Sequence, residues 1–400
     1  MVRRWVVLLA VILPGGAFAQ VRVSESDYLA VLTKDYPGLS ISAEQVGVAQ
    51  AERTRAGLLL NPTLSVERES PRDSPEQLTG QISWTPPLDG RRGAAVRAAN
   101  AGLRAATHRS EADQLLLRSE LRQAFAEWAI SFERDQIVET HLTLIRRMAE
   151  QMRARVTSGE ESGLAAKRLA LAALEVEAEA ARTSASARRA RASAFAWNGS
   201  LAPDAQPALP ILPDAGDTLA PPMRADLLAR NYEVEQADWQ LRASKRFLQF
   251  PEIAFGWQRI HDDIDTEGPV LGLSWPLPLF DRLQPERIEA STRLAAARAR
   301  LQLSTARAQA ELVASRSSYV LLRQSAVGAM RTAGESLSVV ESATATFRLG
   351  ESRLTDLLET LRSALSARLA ALDLYAAALE AHRSLELAVG RPLGAEGTNR

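Results

Sequence analysis

Leu78-Thr79-Gly80-Gln81-Ile82-Ser83-Trp84 and Leu271-Gly272-Leu273-Ser274-Trp275 decide how this chain is to be read. In both, apolar side chains alternate with small or polar ones, the period of a strand whose two faces meet different surroundings. Leu64 and Val66 alternate with Ser65 and Glu67, and Ile253, Phe255 and Trp257 with Glu252, Ala254 and Gly256, making four such segments. Each is about eight to ten residues long, near what a tilted strand needs to cross a bilayer. A half-buried sheet in water shows the same period. Trp84, Trp257 and Trp275 stand at segment ends, as membrane-interface aromatics do. Four strands cannot close a transmembrane barrel, for which about eight is the minimum. Open strand edges are forbidden in lipid. Strands of this kind in a membrane must therefore come from several chains that share one barrel.

The two tryptophan phrases are copies. Ile82-Ser83-Trp84 with Pro87-Leu88 recurs as Leu273-Ser274-Trp275 with Pro278-Leu279, an offset of 191 residues from Trp84 to Trp275. The same offset carries Gly159-Glu160 onto Gly350-Glu351 and Gly199 onto Gly390. Asn61-Pro62 maps onto Phe250-Pro251 with two residues fewer, so the hairpin loops differ in length. A duplication is the expectation. The first copy, 20–202, holds a helix at 43–60, strands at about 61–70 and 78–86, and a long helical hairpin at 93–199. The second, 223–391, holds a helix at 223–247, strands at about 251–260 and 269–276, and a hairpin at 286–389. A Pro-rich linker, 203–222, joins them, and 392–400 is a tail.

The long stretches are rich in alanine and unbranched side chains, the residues that favour helix. Thr157-Ser158-Gly159-Glu160-Glu161-Ser162-Gly163 interrupts the first, and Gly350-Glu351-Ser352 the second. Uninterrupted helix over 93–156 would be roughly 96 Å long at 1.5 Å per residue, more than an ordinary domain is wide. Val138, Leu142, Ile145, Ala149, Met152 and Val156 step by fours and threes, a coiled-coil seam. The fold class is thus mainly α with a small β part.

Composition narrows the function. In 400 residues, 48 basic side chains balance 48 acidic ones, without the basic excess that nucleic-acid binders carry. Cysteine is absent, which removes disulfides, thiol catalysis, thiolate metal sites and a lipid on a cysteine of this sequence. Arg3-Arg4, the apolar run 5–13 and Ala17-Phe18-Ala19 make 1–19 a secretory signal peptide. No later apolar run is long enough for a transmembrane helix. No phosphate loop, nucleophile elbow or His-Glu-x-x-His is present, so no enzyme and no cofactor is expected.

Trp275-Pro276-Leu277-Pro278-Leu279-Phe280-Asp281, Leu88-Asp89-Gly90-Arg91-Arg92, and Phe347-Arg348-Leu349-Gly350-Glu351-Ser352 continuing to Asp356-Leu357-Leu358 and Ala367-Arg368 resemble the TolC family of outer-membrane efflux ducts. The likeness is strongest to the CzcC-type branch, which serves heavy-metal pumps. It implies a homotrimer in which three chains give four strands each to one twelve-stranded barrel in outer-membrane lipid, above a helical tunnel in the periplasm. It also implies a resistance–nodulation–division (RND) inner-membrane pump and a periplasmic adaptor, with heavy-metal cations as cargo. A multidrug or type I secretion duct has the same architecture. A periplasmic coiled-coil adaptor or scaffold is the rival of another class, but it would leave the four alternating segments unexplained.

Asp356 and Glu359 lie three apart on a predicted helix, so both carboxylates share a side. The resemblance makes them an acidic ring at the pore constriction, six and nine residues after the bend glycine; unaided, they read as a solvated helix face. Ala165 and Arg168 hold these places in the first copy. Gly159, Ser162, Gly163, Gly350, Ser352 and Arg353 are the adaptor-docking helix bends. The polar links that shut the mouth in well-known members fall here on Phe347, Ser352 and Ala165, so that lock does not carry over. Asp263, Asp265 and Glu267 before Gly268 imitate the start of a calcium loop, but Ser274 stands where a bidentate Glu is required. Met148 and Met152 suit the seam better than a metal, and no metal site is expected.

Overall fold

The computed structural model describes residues 22–393, except 34, 71, 73, 74, 160, 215–223, 246–249 and 278. The expected signal peptide 1–19, the linker residues 215–222 and the tail residues 394–400 lie outside the described residues. In chain order the elements are β1 (Arg22–Val23), α1 (Glu25–Leu29), α2 (Pro37–Gly57), β2 (Thr63–Glu69), β3 (Glu76–Trp84), α3 (Arg91–Thr157), α4 (Gly163–Trp197), β4 (Gln206–Pro207), α5 (Ala225–Ser244), β5 (Glu252–His261), β6 (Thr266–Ser274), α6 (Gln284–Arg348) and α7 (Leu354–Val389). The protein is mostly helical with a small sheet part. α2 begins at Pro37 rather than at 43, because proline suits the first helical turn, where its missing N–H is not needed.

The chain forms two compact units, and neither is one of the sequence copies. The first holds the N-terminal residues to Val31 with Leu121–Ile211 and Arg331–Ala376; the second holds Leu32–Glu120, Leu212–Met330 and the residues from Ala377. Each draws on both copies, since α3 (67 residues) and α6 (65 residues) contribute to both.

In the first unit Val138, Leu142, Ile145, Ala149 and Met152 of α3 are buried against Leu169, Val176 and Ala180 of α4 and Leu357 and Leu361 of α7. Val156, the last residue of the expected seam, is only half-buried where α3 nears its end. α1 is too short to announce itself by periodicity. It is held by a capping box at Ser24 and Asp27 and by Tyr28, whose ring packs 5.1 Å from Phe125. The Tyr28 hydroxyl donates to the Ala194 carbonyl at 2.8 Å. The expectation of a plain linker is corrected over its first half. Gln206–Pro207 forms β4, paired in parallel with β1, and Ala205 is buried. Proline still accepts hydrogen bonds, and the Pro210 carbonyl takes one from the Tyr375 hydroxyl.

In the second unit β2, β3, β5 and β6 form one antiparallel sheet in that order. β2 and β3 come from the first copy and β5 and β6 from the second, so the β3–β5 pairing, Glu76↔His261 to Trp84↔Ile253, joins the copies. α5 and α6 meet through Ala237, Leu294 and Ala297, small side chains that let the helices approach closely.

Candidate functional site

Directly paired residues of a sheet share a face, so the registers sort the four strands into two surfaces. One surface carries three apolar rows: Trp84, Ile253 and Leu273; Leu64, Ile82, Phe255 and Leu271; Val66, Gly80, Trp257 and Pro269. Much of this surface lies open among the described residues, with Leu64 70%, Phe255 62% and Leu271 79% exposed, while Trp84 at 38% is partly covered. The next rows turn charged, with Arg68, Leu78, Arg259 and Glu267, then Glu76 and His261. The opposite surface is mostly small and polar, with Thr63, Ser65, Gln77, Thr79, Gln81, Ser83, Ala254, Gly256, Gln258, Gly268 and Gly272, and Ile260 and Val270 are its large apolar residues. Its ionisable strand residues are Glu67, Glu69 and Glu252, with no base among them. The alternation in sequence pointed to the two faces, but the clustering of acids on one needs the register.

The tryptophans do not all sit where segment ends were expected. Trp84 closes β3 and donates its indole N–H to the Leu60 carbonyl at 2.9 Å, and Trp275 follows β6 directly. Trp257 lies inside β5, which continues to His261. At Arg259 the outward face changes from apolar to charged. Trp257 is the last apolar residue of β5 on that face.

The hairpin loop after His261 is bound internally. Asp265 accepts from His261 and from Arg259, the latter at 3.1 Å. Those contacts, His261 first, hold the Asp265 carboxyl below its usual range. This commits the middle residue of the calcium-like series to His261 and Arg259. Among the described residues no group of three or more His, Asp and Glu side chains is arranged to hold a metal.

Just after α3 and α6, Gly159 and Gly350 adopt φ of 80° and 77°, the left-handed conformation that ends a helix and suits glycine. The Glu351 N–H reaches back to the Thr346 carbonyl at 3.0 Å and the Gly350 N–H to the Phe347 carbonyl at 3.1 Å. Ser162 caps α4 by accepting from the Ala165 N–H at 3.3 Å, and Gly163 opens that helix. In the second copy Arg353 stands in the place of Ser162 and precedes α7. The Ser352 hydroxyl is buried with no hydrogen-bond partner among the described residues. Asp356 and Glu359 lie in the first turns of α7; both are exposed, and neither has an ion-pair partner among the described residues.

Known proteins complete the picture. No family model matches the chain. It is 27% identical over 287 residues to the nickel-cobalt-cadmium resistance protein NccC of Alcaligenes xylosoxydans, covering 66% of this chain and 63% of that protein. It is 30% identical over 279 residues to the nickel and cobalt resistance protein CnrC of Cupriavidus metallidurans, covering 66% of each. The matched part thus spans just under two thirds of these relatives' length. The fold superposes on the outer membrane protein VceC of Vibrio cholerae with a TM-score of 0.73 at 19% identity, over 92% of this chain and 96% of that one. It superposes on CusC with a TM-score of 0.77 at 15% identity, over 96% of both chains. The chain has the fold of the TolC-family outer-membrane channels. Its sequence relatives are of the family's CzcC type.

Several contacts of this TolC-like chain were invisible in sequence. Arg362 of α7 pairs with Glu175 of α4 at 2.5 Å, and Arg134 of α3 pairs with Asp373 of α7. Ser184 of α4 donates to Asp135 of α3 at 2.8 Å. The two ion pairs join the second copy's α7 to the first copy's hairpin, and the Ser184 bond ties that hairpin's own helices, all at residues other than Phe347, Ser352 and Ala165. Charged residues are so frequent on all four helices that only their relative heights select the pairs.

Proposed function

We propose that the chain is the outer-membrane channel of a tripartite efflux system, a passive conduit that works with an RND-type inner-membrane pump and a periplasmic adaptor. Its proposed cargo is heavy-metal cations. The observation that carries this is the sheet, with an uncovered apolar face, a small polar face and two open edges at β2 and β6. Such edges cannot be left unpaired in lipid. Three chains that pair β6 of one with β2 of the next would close a twelve-stranded barrel, apolar outside and wet inside. α6 supports the homotrimer with Val313, Val320 and Val327, exposed at seven-residue spacing like a coiled-coil seam without its partner helix. Among the described residues no helix is long and apolar enough to cross a membrane, so the strands are the elements proposed to do so.

Metal cargo is favoured by the names of NccC and CnrC and by the distribution of charge. Asp356 and Glu359 from three chains would ring the tunnel mouth with carboxylates whose field draws cations and resists anions. The bends at Gly159, Ser162 and Gly163 and at Gly350, Ser352 and Arg353 are the proposed adaptor contacts. Trp84, Trp257 and Trp275 are the proposed interface aromatics.

The test is a deletion strain, with and without plasmid rescue, grown on nickel, cobalt, cadmium, zinc and copper salts beside detergents and antibiotics. Metal-confined sensitivity with raised cell-associated metal, both reversed by the plasmid, is the expected result. Sensitivity to detergents or antibiotics alone would replace metal cargo with drugs in the same architecture. For the mouth, Asp356→Asn with Glu359→Gln should leave assembly intact and lower the preference for cations over anions in planar-bilayer recordings. An unchanged reversal potential would remove these residues from the pore.

A further inference from the structure

The two ends of the sheet carry opposite charge. At the helix end, the four connections to the strands, taken with the last turn of α2 and the first turns of α3 and α6, span 53–62, 85–92, 245–251 and 275–287. Together they hold eight basic residues against three acidic ones. At the other end the two hairpin loops with their flanking strand residues, 69–76 and 261–267, hold seven acidic residues against one arginine and one histidine, and of the seven Glu76 pairs with Arg68 and Asp265 with Arg259 just outside these ranges.

The basic end is also apolar. Leu60, Leu88, Leu277 and Leu279 are each more than half exposed, and Phe280 is 93% exposed. These residues continue the sheet's uncovered apolar surface past Trp84 and Trp275. Arg53, Arg55, Arg282 and Arg287 stand among them, exposed and without an ion pair among the described residues. Arg92 instead donates to the Gly57 carbonyl at 3.2 Å through Nε, tying the start of α3 to the end of α2.

We propose that this collar docks on the anionic phospholipid headgroups of the leaflet nearest the helices, with guanidiniums on the phosphates and leucine and phenylalanine side chains at the acyl boundary. An uncharged leaflet would cover the leucines equally well, but it would offer nothing to four guanidiniums that pair with no carboxylate among the described residues. A basic end beside anionic lipid and an acidic end away from it also fixes which way the sheet sits, because long basic side chains reach headgroups while their stems stay in apolar surroundings. The proposal rests on the outer-membrane assignment and adds to it a lipid class and a side.

The test places the full-length protein in vesicles of phosphatidylethanolamine with either phosphatidylglycerol or phosphatidylcholine, extracts it gently, and counts retained lipids by native mass spectrometry. Wild type should retain phosphatidylglycerol in preference, with the preference falling roughly fivefold for each collar arginine removed. The pairs Arg53→Gln with Arg55→Gln and Arg282→Gln with Arg287→Gln provide the series. Asp262→Asn with Asp263→Asn, at the acidic end, should change nothing. Insertion with equal retention of both lipids, or a preference that survives the fourfold variant, overturns the proposal. If the glutamine variants separate the chains at unchanged lipid preference, the collar is a contact between copies and the proposal also fails. A protein that inserts into neither vesicle refutes the outer-membrane assignment itself.

Discussion

Gly256 lies on the polar face of β5 opposite Gln81, where a β-carbon would come within 2.6 Å of both the Gln81 Cβ and the Gly80 carbonyl oxygen. A backbone oxygen cannot swing aside, so Gly256→Ala must push β3 from β5 at the seam between the sequence copies. The cost is about 1–3 kcal/mol. Gly80 lies on the other face with open space around it, and Gly80→Ala should stay within about 0.5 kcal/mol of wild type. Thermal melts of the two variants in detergent separate these outcomes. A common midpoint would mean that the seam is not tight. His141 of α3 is a second residue-scale case: it is buried, and its Nε2 has no partner among the described residues. Burial, and then the nearby Arg368 charge, hold its pKa below the usual histidine value. Below about pH 6.5 the unfolded chain therefore binds a proton that folded His141 refuses, and stability falls as pH falls through that window. His141→Phe should flatten the loss. Hydrogen exchange over 134–149 at about pH 7.5 and 5.5 measures it, and an unchanged slope in the variant would assign the effect elsewhere.

The helix bends are the elements on which assembly with an adaptor depends in the proposed function. A β-carbon added at Gly159 or Gly350 would meet no atom within 4 Å, so alanine there carries only backbone strain, about 1–2 kcal/mol. Gly350→Ala should lower the midpoint of the first unit without disturbing the sheet, and Gly350→Asn should recover part of the loss. Ser162→Ala removes a cap and costs about 1 kcal/mol, whereas Arg353→Ser supplies one where the native side chain has no oxygen to offer, so its sign should be opposite. Urea midpoints of the pair check this. These bends were legible because a Gly-Glu pair interrupts two proline-free helical runs at the same offset from each tryptophan phrase. The strands were legible because period two stands out against that background. α1 and the β1–β4 pair were not, since five-residue and two-residue elements carry no period and are held by Tyr28, Phe125 and Ala194 from distant sequence. The candidate site was half-legible. Asp356 and Glu359 lie on a helix, as their spacing predicts, while the gathering of Glu67, Glu69 and Glu252 from different strands on one face, and the pairing of Arg362 with Glu175, come only through strand register and helix height.

For the whole molecule, the decisive question is which surface of the sheet meets lipid, and two adjacent residues of β5 answer it. Phe255 lies in the middle of the three apolar rows, and Ala254 lies on the polar face among Ser83 and Gly272. Arginine at the lipid-facing midplane of a barrel costs about 2–4 kcal/mol, while a lumenal position tolerates it. If the proposed trimer forms, Phe255→Arg should therefore sharply reduce the amount recovered from outer membranes, and Ala254→Arg should leave it near wild type while narrowing its conductance. Equal tolerance would place the sheet in water and remove the membrane from the proposed function. Greater damage from Ala254→Arg would invert the faces. Val320→Asp on α6 checks the same assembly from the tunnel side. A charge in the exposed valine seam costs little in a lone chain, where Val320 is already 47% exposed. It is costly only where a neighbouring helix buries it. Trimer loss in Val320→Asp with the monomer's helicity intact would therefore locate the missing partner of α6 in another copy of the chain. A stable trimer would leave the valine row facing solvent and require the three chains to meet elsewhere.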